Sequence, residues 1–189
     1  MVRAATSLLA AEDVPARPPL LECVAGDAAA WRALHRQYYP VAAAFLRKLG
    51  VTPAELEDAC QDVFLQLFRY LPGFRGESEF ETWLYRLCLT QARRVRLRQR
   101  VSRLLSWLPG EDLVSGPSFS EHSARQRIEA ALARLSAADR SVLVLYEMEG
   151  LPGARIAEIV GCKEATLWRR LHYARKRFLE ALEQTEVAP

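Results

Sequence analysis

Acidic residues and arginines are segregated along the middle of this chain, and the segregation restricts the possible folds more than any other feature. From Pro53 to Glu81 the sequence carries seven acidic residues and two arginines. Between Glu81 and Glu111 it carries seven arginines and no acidic residue. An acidic segment repels a negatively charged partner, and an arginine-rich segment attracts it. The segment therefore predicts an element that repels polyanions, followed by one that attracts them.

The acidic segment has the periodicity of an amphipathic helix with an acidic outer side. Thr52, Pro53 and Glu55 combine a capping threonine, a proline at the first helical position and a glutamate that can reach back to the cap. Together these residues predict where the helix begins. The apolar stripe consists of Leu56, Cys60, Val63, Phe64, Leu67 and Leu71, and the other face carries Glu55, Glu57, Asp58, Asp62 and Gln66.

A short turn separates this helix from the arginine-rich one. The acidic helix is expected to end around Leu71-Pro72-Gly73, and the turn that follows reads GFRGES. The run from Ser78 to Glu81 repeats the capping pattern and predicts the start of the second helix. That helix begins with aromatic residues and then carries Arg86, Arg93, Arg94, Arg96, Arg98, Arg100 and Arg103.

Length and composition favour a soluble, all-α protein of one domain or two small ones. The chain has 189 residues, half of them hydrophobic, so it can build a core. No apolar run is long enough to cross a membrane, and we expect a cytoplasmic protein without membrane insertion. Its cysteines form no CxxC pair and are expected to be buried reduced thiols. They are Cys23, Cys60, Cys88 and Cys162.

Pattern breaks divide the chain into two helical domains. Residues 1–19 are rich in small residues and proline and are expected to form a disordered tail. Residues 20–104 form the first domain, in which Asp27 caps a helix and Pro40 predicts a kink or a break. Residues 105–123 collect Pro, Gly, Ser and acids, a composition typical of a flexible linker. Residues 124–185 form the second domain.

The second domain has the pattern of a helix-turn-helix. Ser136 predicts the start of one helix, and the turn Gly161-Cys162-Lys163 joins two later ones. The last helix is rich in arginine and lysine, so it can lie in a DNA major groove with further cations on phosphates. The alternative is a solvated basic face on a helical bundle that never contacts DNA.

Two stretches resemble one known family. The sequence DACQDVFLQLFRYLPGFRGESEFETWLYRL resembles the second region of bacterial RNA polymerase sigma factors of the extracytoplasmic-function (ECF) group. The sequence RLSAADRSVLVLYEMEGLPGARIAEIVGCKEATLWRRLHYARKRF resembles their fourth region. The resemblance covers about residues 22–182 with both motifs in the family's order. It implies a transcription initiation factor that binds core RNA polymerase, directs it to promoters and assists promoter melting.

The resemblance also implies the partners. In the family the acidic helix docks on the clamp helices of the largest polymerase subunit, and the fourth region contacts the flap of the second-largest subunit. An anti-sigma factor commonly holds family members inactive, so we expect one here together with promoter DNA. The matching polymerase-binding positions are Asp58, Gln61, Asp62, Leu65 and Gln66, for which simple solvation is the alternative.

Two groups of DNA-binding residues follow from the same resemblance. The first would bind the minus-ten element, with aromatic rings and arginine stacking on unpaired bases and further arginines on phosphates. It comprises Phe74, Arg75, Ser78, Trp83, Tyr85, Arg86, Arg93, Arg94 and Arg96, of which Trp83 can also be core. The second would read the minus-thirty-five element from Lys163, Thr166, Trp168, Arg169 and Arg170, with Arg175 and Lys176 on phosphates.

The chain departs from the family pattern around the last helix. Many members have a serine before that helix, where this chain has Lys163, and a capping serine where it has Pro152. Trp168 stands where a lysine or another polar residue is common. Because a lysine opposes the helix dipole there, we hypothesise that a DNA phosphate completes the site.

No catalytic constellation accompanies these motifs, so we expect no enzyme activity, cofactor or metal. His35, His122 and His172 are scattered, and Asp58 with Asp62 lacks further metal ligands. Three function classes remain open from the residues: an initiation factor, an autonomous helix-turn-helix regulator that binds duplex DNA without polymerase, and a helical adaptor that binds only protein. Only the first needs an acidic docking helix joined to an aromatic and basic one.

Overall fold

The computed structural model describes residues 19–74, 79–105 and 122–186. Those residues form helices and connecting turns without any strand, which confirms the predicted all-α class. The helices are α1 (Leu20–Val24), α2 (Ala28–Lys48), α3 (Pro53–Tyr70), α4 (Phe80–Leu105), α5 (His122–Arg134), α6 (Ala137–Leu143), α7 (Gly153–Val160) and α8 (Glu164–Glu186). A 3-10 turn at Leu71–Gly73 follows α3, and a π-helical turn at Val144–Met148 continues α6.

Helix starts follow the sequence closely, with one difference in hydrogen bonding. Asp27 accepts from the backbone N–H of Ala29 at 2.7 Å, and the Ser136 hydroxyl accepts from that of Asp139 at 3.1 Å. Helix α3 begins at Pro53 as predicted, but the Thr52 side chain makes no cap bond to the backbone. Its hydroxyl instead donates to the Glu55 carboxylate at 2.7 Å. The second predicted capping serine, Ser78, lies outside the described residues.

Pro40 does not break α2, which runs continuously from Ala28 to Lys48. A proline inside a helix removes one N–H and frees the carbonyl four residues earlier. Both Pro40 and Arg36 are exposed, so water can bond that carbonyl. Leu34 and Phe45, on either side of the proline, stay fully buried. The buried face therefore holds the helix together, so of the predicted kink or break the break does not occur.

The first half of the molecule packs α2, α3 and α4 around a common core. Fully buried leucines and valines fill it, and the edge of Phe45 meets the ring of Tyr85 with centroids 4.7 Å apart. Cys60 and Cys88 are free thiols buried in this core, and burial raises the pKa of both. Both thiols thus stay protonated at neutral pH. Cys23 is also buried and free, while Cys162 is half-buried and free.

The second half contains the predicted helix-turn-helix. Helix α7 ends at Val160, and the next residue, Gly161, has a left-handed backbone (φ +75°) and donates its N–H to the Ala157 carbonyl. A residue with a side chain rarely adopts that conformation, which explains the glycine. Helix α8 starts three residues later and buries Leu167 and Leu171 against the other helices.

The two halves pack against each other through α7 and α4. Buried residues of both halves belong to one continuous hydrophobic core. The Arg140 guanidinium of α6 is buried and donates to the carbonyl of Lys48, at the end of α2, at 2.6 Å. Its burial and the nearby charge of Arg96 lower the pKa of Arg140 to about 10. The predicted linker, residues 105–123, and the predicted tail fall almost entirely outside the described residues.

Candidate functional site

The outer face of α3 presents most of the predicted polymerase-binding residues to solvent. Asp58, Gln61 and Leu65 are exposed. Asp62 is half-buried and accepts a 2.6 Å hydrogen bond from the Gln91 amide of α4. Gln66 is half-buried as well, and its amide donates to the Asp62 backbone carbonyl at 3.2 Å. A partner protein can therefore contact this face, although the Asp62 carboxylate is already hydrogen-bonded to Gln91 of α4.

An open apolar groove of about 1140 Å³ adjoins this face between α2 and α3. Its rim carries Arg32 and Arg36 on one side and Glu57 on the other. Sequence reasoning missed this groove because Phe64 reads as core and Phe68 lies off the apolar stripe. An aromatic pair spaced four residues apart was the available signal. The apolar lining comprises Trp31, His35, Tyr39, Phe64, Leu65 and Phe68.

Two of the predicted base-stacking residues lie together at the start of α4. The rings of Phe74 and Trp83 are stacked, with centroids 5.1 Å apart and planes 22° apart. Both are half-buried, and Phe80 meets each of them edge-on from the core side. Offset stacking of two rings leaves an outer face on which a base can stack. Arg75 and Ser78, predicted in the same group, lie outside the described residues.

Tyr85 lies in the core, with 8% of its surface exposed. Its hydroxyl donates to the Glu149 carboxylate at 3.1 Å. Burial, and then the Glu149 charge, raise the pKa of Tyr85 above its usual range. Because the ring is buried against Phe45 and its hydroxyl is bonded to Glu149, its predicted stacking on a base requires an exposure that this arrangement does not provide.

The four arginines of α4 that were predicted to bind phosphates divide into an exposed pair and an engaged pair. Arg93 and Arg94 are exposed. Arg86 donates to the backbone carbonyl of Glu158 at 2.8 Å and to its carboxylate at 3.2 Å. Arg96 donates to the Leu49 carbonyl at 3.1 Å, and burial lowers its pKa. Two of the four predicted phosphate-binding arginines are thus occupied within the protein.

Helix α8 exposes a basic surface at its start. Lys163 and Arg169 are exposed, while Thr166 and Arg170 are half-buried. Further along, Lys176 is exposed and lies 4.0 Å from Glu180, a weak pair on the same helix. The surface can therefore meet an anionic duplex along one side of the helix.

Trp168, predicted to lie at base edges, also makes close contacts inside the second domain. Its indole packs so closely on Gly153, the first residue of α7, that a Cβ atom there would collide with it. The Trp168 ring also meets Tyr146 edge-on, with centroids 5.6 Å apart. The Arg175 guanidinium lies over the Tyr146 ring, 5.0 Å from its centroid. Although 44% of Trp168 stays exposed, its contacts set the spacing between α7 and α8. Arg175 is also paired with Glu147 at 2.5 Å.

Neither a metal cluster nor a membrane segment is found in the part of the chain that the structure describes. No three His, Cys, Asp or Glu side chains there come together as a metal site. Among the same residues, no helix is both long and apolar enough to cross a bilayer.

Two family models match the two halves of the chain in order. The model for sigma-70 region 2 matches residues 34–108, and the model for sigma-70 region 4 matches residues 125–178. The ECF RNA polymerase sigma-E factor of Escherichia coli (strain K12) is 28% identical over 164 residues, covering 80% of this chain and 85% of that protein. The RNA polymerase sigma factor NccH of Alcaligenes xylosoxydans xylosoxydans is 25% identical over 170 residues, covering 86% and 91%.

Solved structures share the fold. CnrH, in complex with the cytosolic domain of CnrY, superimposes with a TM-score of 0.67 at 21% identity, covering 87% of this chain and 95% of that one. The sigma factor RpoE from Bartonella quintana, in complex with the anti-sigma factor NepR, gives a TM-score of 0.65 at 24% identity, covering 80% and 96%. At these identities the similarity establishes the arrangement of helices.

Proposed function

We propose a division of work among three surfaces of this chain, which belongs to the ECF group of bacterial sigma-70 factors. It is a polymerase-binding transcription initiation factor, since it carries region 2 and region 4 in order. An autonomous regulator would need only the helix-turn-helix and would leave the acidic helix and region 2 without a use. The alternatives raised by the basic helix alone are therefore not favoured.

The first surface binds core polymerase. The exposed face of α3 carries Asp58, Gln61 and Leu65, and it continues into the apolar groove beside Phe68. A charged rim around an apolar centre is the usual composition of a protein interface. We assign the clamp helices of the largest subunit to this surface. The flap of the second-largest subunit is assigned to region 4.

The second surface captures and opens the minus-ten element. Stacking on the Phe74 and Trp83 pair would offset the base stacking lost on melting, at about 1–3 kcal/mol per base. Arg93 and Arg94, exposed on α4, would hold the adjacent phosphates. Those phosphate contacts make binding weaken as salt rises.

The third surface reads the minus-thirty-five element as duplex. Lys163, just before α8, and Thr166, Arg169 and Arg170 in its first turns would enter the major groove. Arg175 and Lys176 would reach phosphates, Arg175 after leaving Glu147. Trp168 would act through its packing on α7 instead of by touching a base.

An anti-sigma factor is the proposed regulatory partner, acting in the cytoplasm where the polymerase works. In one structure with this fold, the sigma factor RpoE is bound to the anti-sigma factor NepR. In another, CnrH is bound to the cytosolic domain of CnrY. The groove beside α3 would be unavailable to polymerase while a partner covers it.

The observation that carries the function is that the acidic face of α3 and the basic face of α4 both reach the surface of one domain. Run-off transcription with purified core polymerase on genomic fragments tests it. The wild-type chain should direct initiation at defined promoters. The Asp58→Lys variant should lose promoter-specific initiation when the core polymerase concentration is limiting. A chain that binds duplex sites without core, and that core does not retain, would instead be an autonomous regulator.

A further inference from the structure

One flank of α8 forms a small basic pocket with the start of α6. The pocket has a volume of about 170 Å³. This is the space of about five or six water molecules at about 30 Å³ each, so a single phosphate group fits into it. Three guanidinium groups and one carboxylate surround this space. The lining comprises Asp139 of α6 and Thr166, Arg169, Arg170, Tyr173 and Arg177 of α8.

Four of the lining residues share one face of α8, because they are separated by four, three and four positions. They are Thr166, Arg170, Tyr173 and Arg177. The stripe is about 16 Å long, at about 1.5 Å per residue. A helix about 10–12 Å wide fills a major groove about 12 Å wide, so each flank of the helix lies beside the phosphates of one strand. The stripe is therefore placed to meet a DNA backbone.

The hydrogen-bond donors of this stripe are largely unused within the protein. Arg170 is half-buried, and its guanidinium makes no hydrogen bond or ion pair with any described residue. Tyr173 is 51% exposed, and its hydroxyl has no hydrogen-bond partner among the same residues. A partly desolvated guanidinium without a partner favours an anion, and arginine binds phosphate through two parallel N–H groups. The pocket thus offers both charge and directed donors to a phosphate.

Arg177 is oriented from the protein side. One of its terminal nitrogens donates to the Asp139 carboxylate at 2.6 Å. The Asp139 side chain is 9% exposed, whereas that of Arg177 is 59% exposed. Because a guanidinium has five N–H donors, the bond to Asp139 leaves others for a ligand. Asp139 therefore fixes the direction of Arg177 without occupying all of its donors.

The opposite flank of α8 is less suited to a phosphate. Arg175 is two residues from Arg177, so the two side chains point to nearly opposite sides of the helix. Arg175 pairs with Glu147, whose side chain is 44% exposed, and lies over the Tyr146 ring. An exposed carboxylate repels a phosphate, whereas the carboxylate of the basic pocket is buried beneath an arginine. The flank with the pocket is therefore the better site for an anion.

We propose that the basic pocket binds one backbone phosphate of the minus-thirty-five duplex. The Arg177 guanidinium and the Tyr173 hydroxyl donate to the phosphate oxygens, and Arg170 adds a second positive charge. Asp139 is a positioning residue that acts through Arg177. This inference rests on the proposed function and gives a role to three residues to which the sequence assigned none. A phosphate contact fixes the register of a helix without reading bases, so its loss should weaken matched and mismatched duplexes by the same factor.

The experiment uses the full chain bound to core polymerase and a promoter duplex identified by run-off transcription. Each phosphate of the minus-thirty-five element is replaced in turn by an uncharged methylphosphonate, and fluorescence anisotropy gives the affinity. In the wild type, replacement of the contacted phosphate should weaken binding about tenfold, as expected for hydrogen bonds to a charged group. Arg177→Ala should weaken binding to the unmodified duplex about tenfold and lose most of the sensitivity at that one position.

Two further variants separate the contact from effects on folding. Tyr173→Phe removes only a hydroxyl that bonds to no described residue, so it should unfold at the wild-type temperature and weaken binding about threefold. Part of the sensitivity at the same phosphate should disappear with it. Arg125→Ala is the control, because this arginine pairs within α5 and does not line the pocket. It should keep the wild-type affinity and the wild-type methylphosphonate pattern.

A double-mutant cycle tests the role of Asp139. Asp139→Asn should weaken duplex binding about fivefold in the wild type and have no further effect in Arg177→Ala, because it acts only through Arg177. A merely structural role would weaken binding in both backgrounds and would overturn the positioning role.

The methylphosphonate pattern decides the proposal as a whole. A pattern that is the same in wild type, Tyr173→Phe and Arg177→Ala overturns it. So does a result in which inorganic phosphate binds the free chain and Tyr173→Phe weakens that binding but not duplex binding, since the pocket would then hold a small anion. If the wild type initiates with core and the pocket variants bind the duplex as it does, only this inference fails. If the wild type does not initiate with core, the proposed function fails.

Discussion

Asp62 on α3 accepts a 2.6 Å hydrogen bond from the Gln91 amide on α4. This bond joins the helix assigned to polymerase with the helix assigned to promoter DNA. Gln91 is fully buried, and its amide oxygen has no partner among the described residues. The Asp62 carboxylate therefore has a structural task that Asp58, exposed one turn earlier, does not have.

We expect Asp62→Ala and Asp58→Ala to differ in stability but to agree in polymerase binding. Removing Asp62 leaves the Gln91 N–H buried and unpaired, which costs about 1–3 kcal/mol. Asp58→Ala should leave the free energy of unfolding within about 0.5 kcal/mol. Urea unfolding and core-binding titrations measure the two effects. Equal stability of both variants would show that Gln91 does not depend on Asp62.

Phe68→Ser should weaken core polymerase binding about tenfold or more, because a large apolar side chain in an interface groove often contributes over 1 kcal/mol. The protein's melting temperature should hardly change, since 61% of Phe68 is exposed. Leu97→Ser is the matched control, with 62% of the side chain exposed on α4 outside the groove. If both variants bind core as wild type does, the groove is not part of the polymerase surface.

Gly153→Ala should destabilise region 4 by about 1–3 kcal/mol through overpacking against Trp168. Gly73→Ala provides the control, since no atom lies within 4 Å of a Cβ placed there. Combining Gly153→Ala with Trp168→Leu should recover part of the loss, as contacting residues are energetically coupled. Thermal unfolding of the wild type, the two single variants at Gly153 and Trp168, and the double variant measures this coupling. Strict additivity would contradict the contact.

Gly50→Ala should cost more stability than Gly26→Ala, although both glycines have a positive φ, +93° and +86°. At Gly50 a Cβ would lie 2.6 Å from the Arg140 guanidinium, whereas at Gly26 nothing lies within 4 Å. The backbone penalty should be similar at the two sites, so the difference, about 1–3 kcal/mol, reports the displaced arginine. Differential scanning calorimetry gives both values. Equal losses would mean that Arg140 moves aside freely.

Arg169→Ala should reduce affinity for duplex minus-thirty-five DNA in the polymerase complex by about 1–3 kcal/mol, or roughly five- to 150-fold, if the side chain contacts a base. No hydrogen bond or ion pair engages Arg169 within the described residues, so the stability of the free protein should not change. Trp168→Phe should alter affinity and stability together, because its contacts lie inside the domain. Footprinting and thermal unfolding distinguish the two residues.

Local signals in the sequence determined the helices and their boundaries. Pro53, Ser136 and Gly161 stand where α3 begins, where α6 is capped and where α7 ends. Each acts on backbone groups within four residues, so no distant contact is needed to interpret it. The segregation of acids and arginines was equally readable, because charge depends on composition along the helix. The two stretches that resemble sigma regions 2 and 4, in that order, were sufficient to identify the family.

Only the tertiary structure decided which of those side chains are available. Tyr85 and Arg86 read as DNA-binding residues, yet Glu149 and Glu158, more than sixty positions away, engage them. Trp168 read as a base contact but packs on Gly153. Pro40 read as a kink or a break, and α2 runs through it without a break, with buried residues on both sides. Exposure and pairing depend on residues that are distant along the chain, and periodicity carries no information about such neighbours.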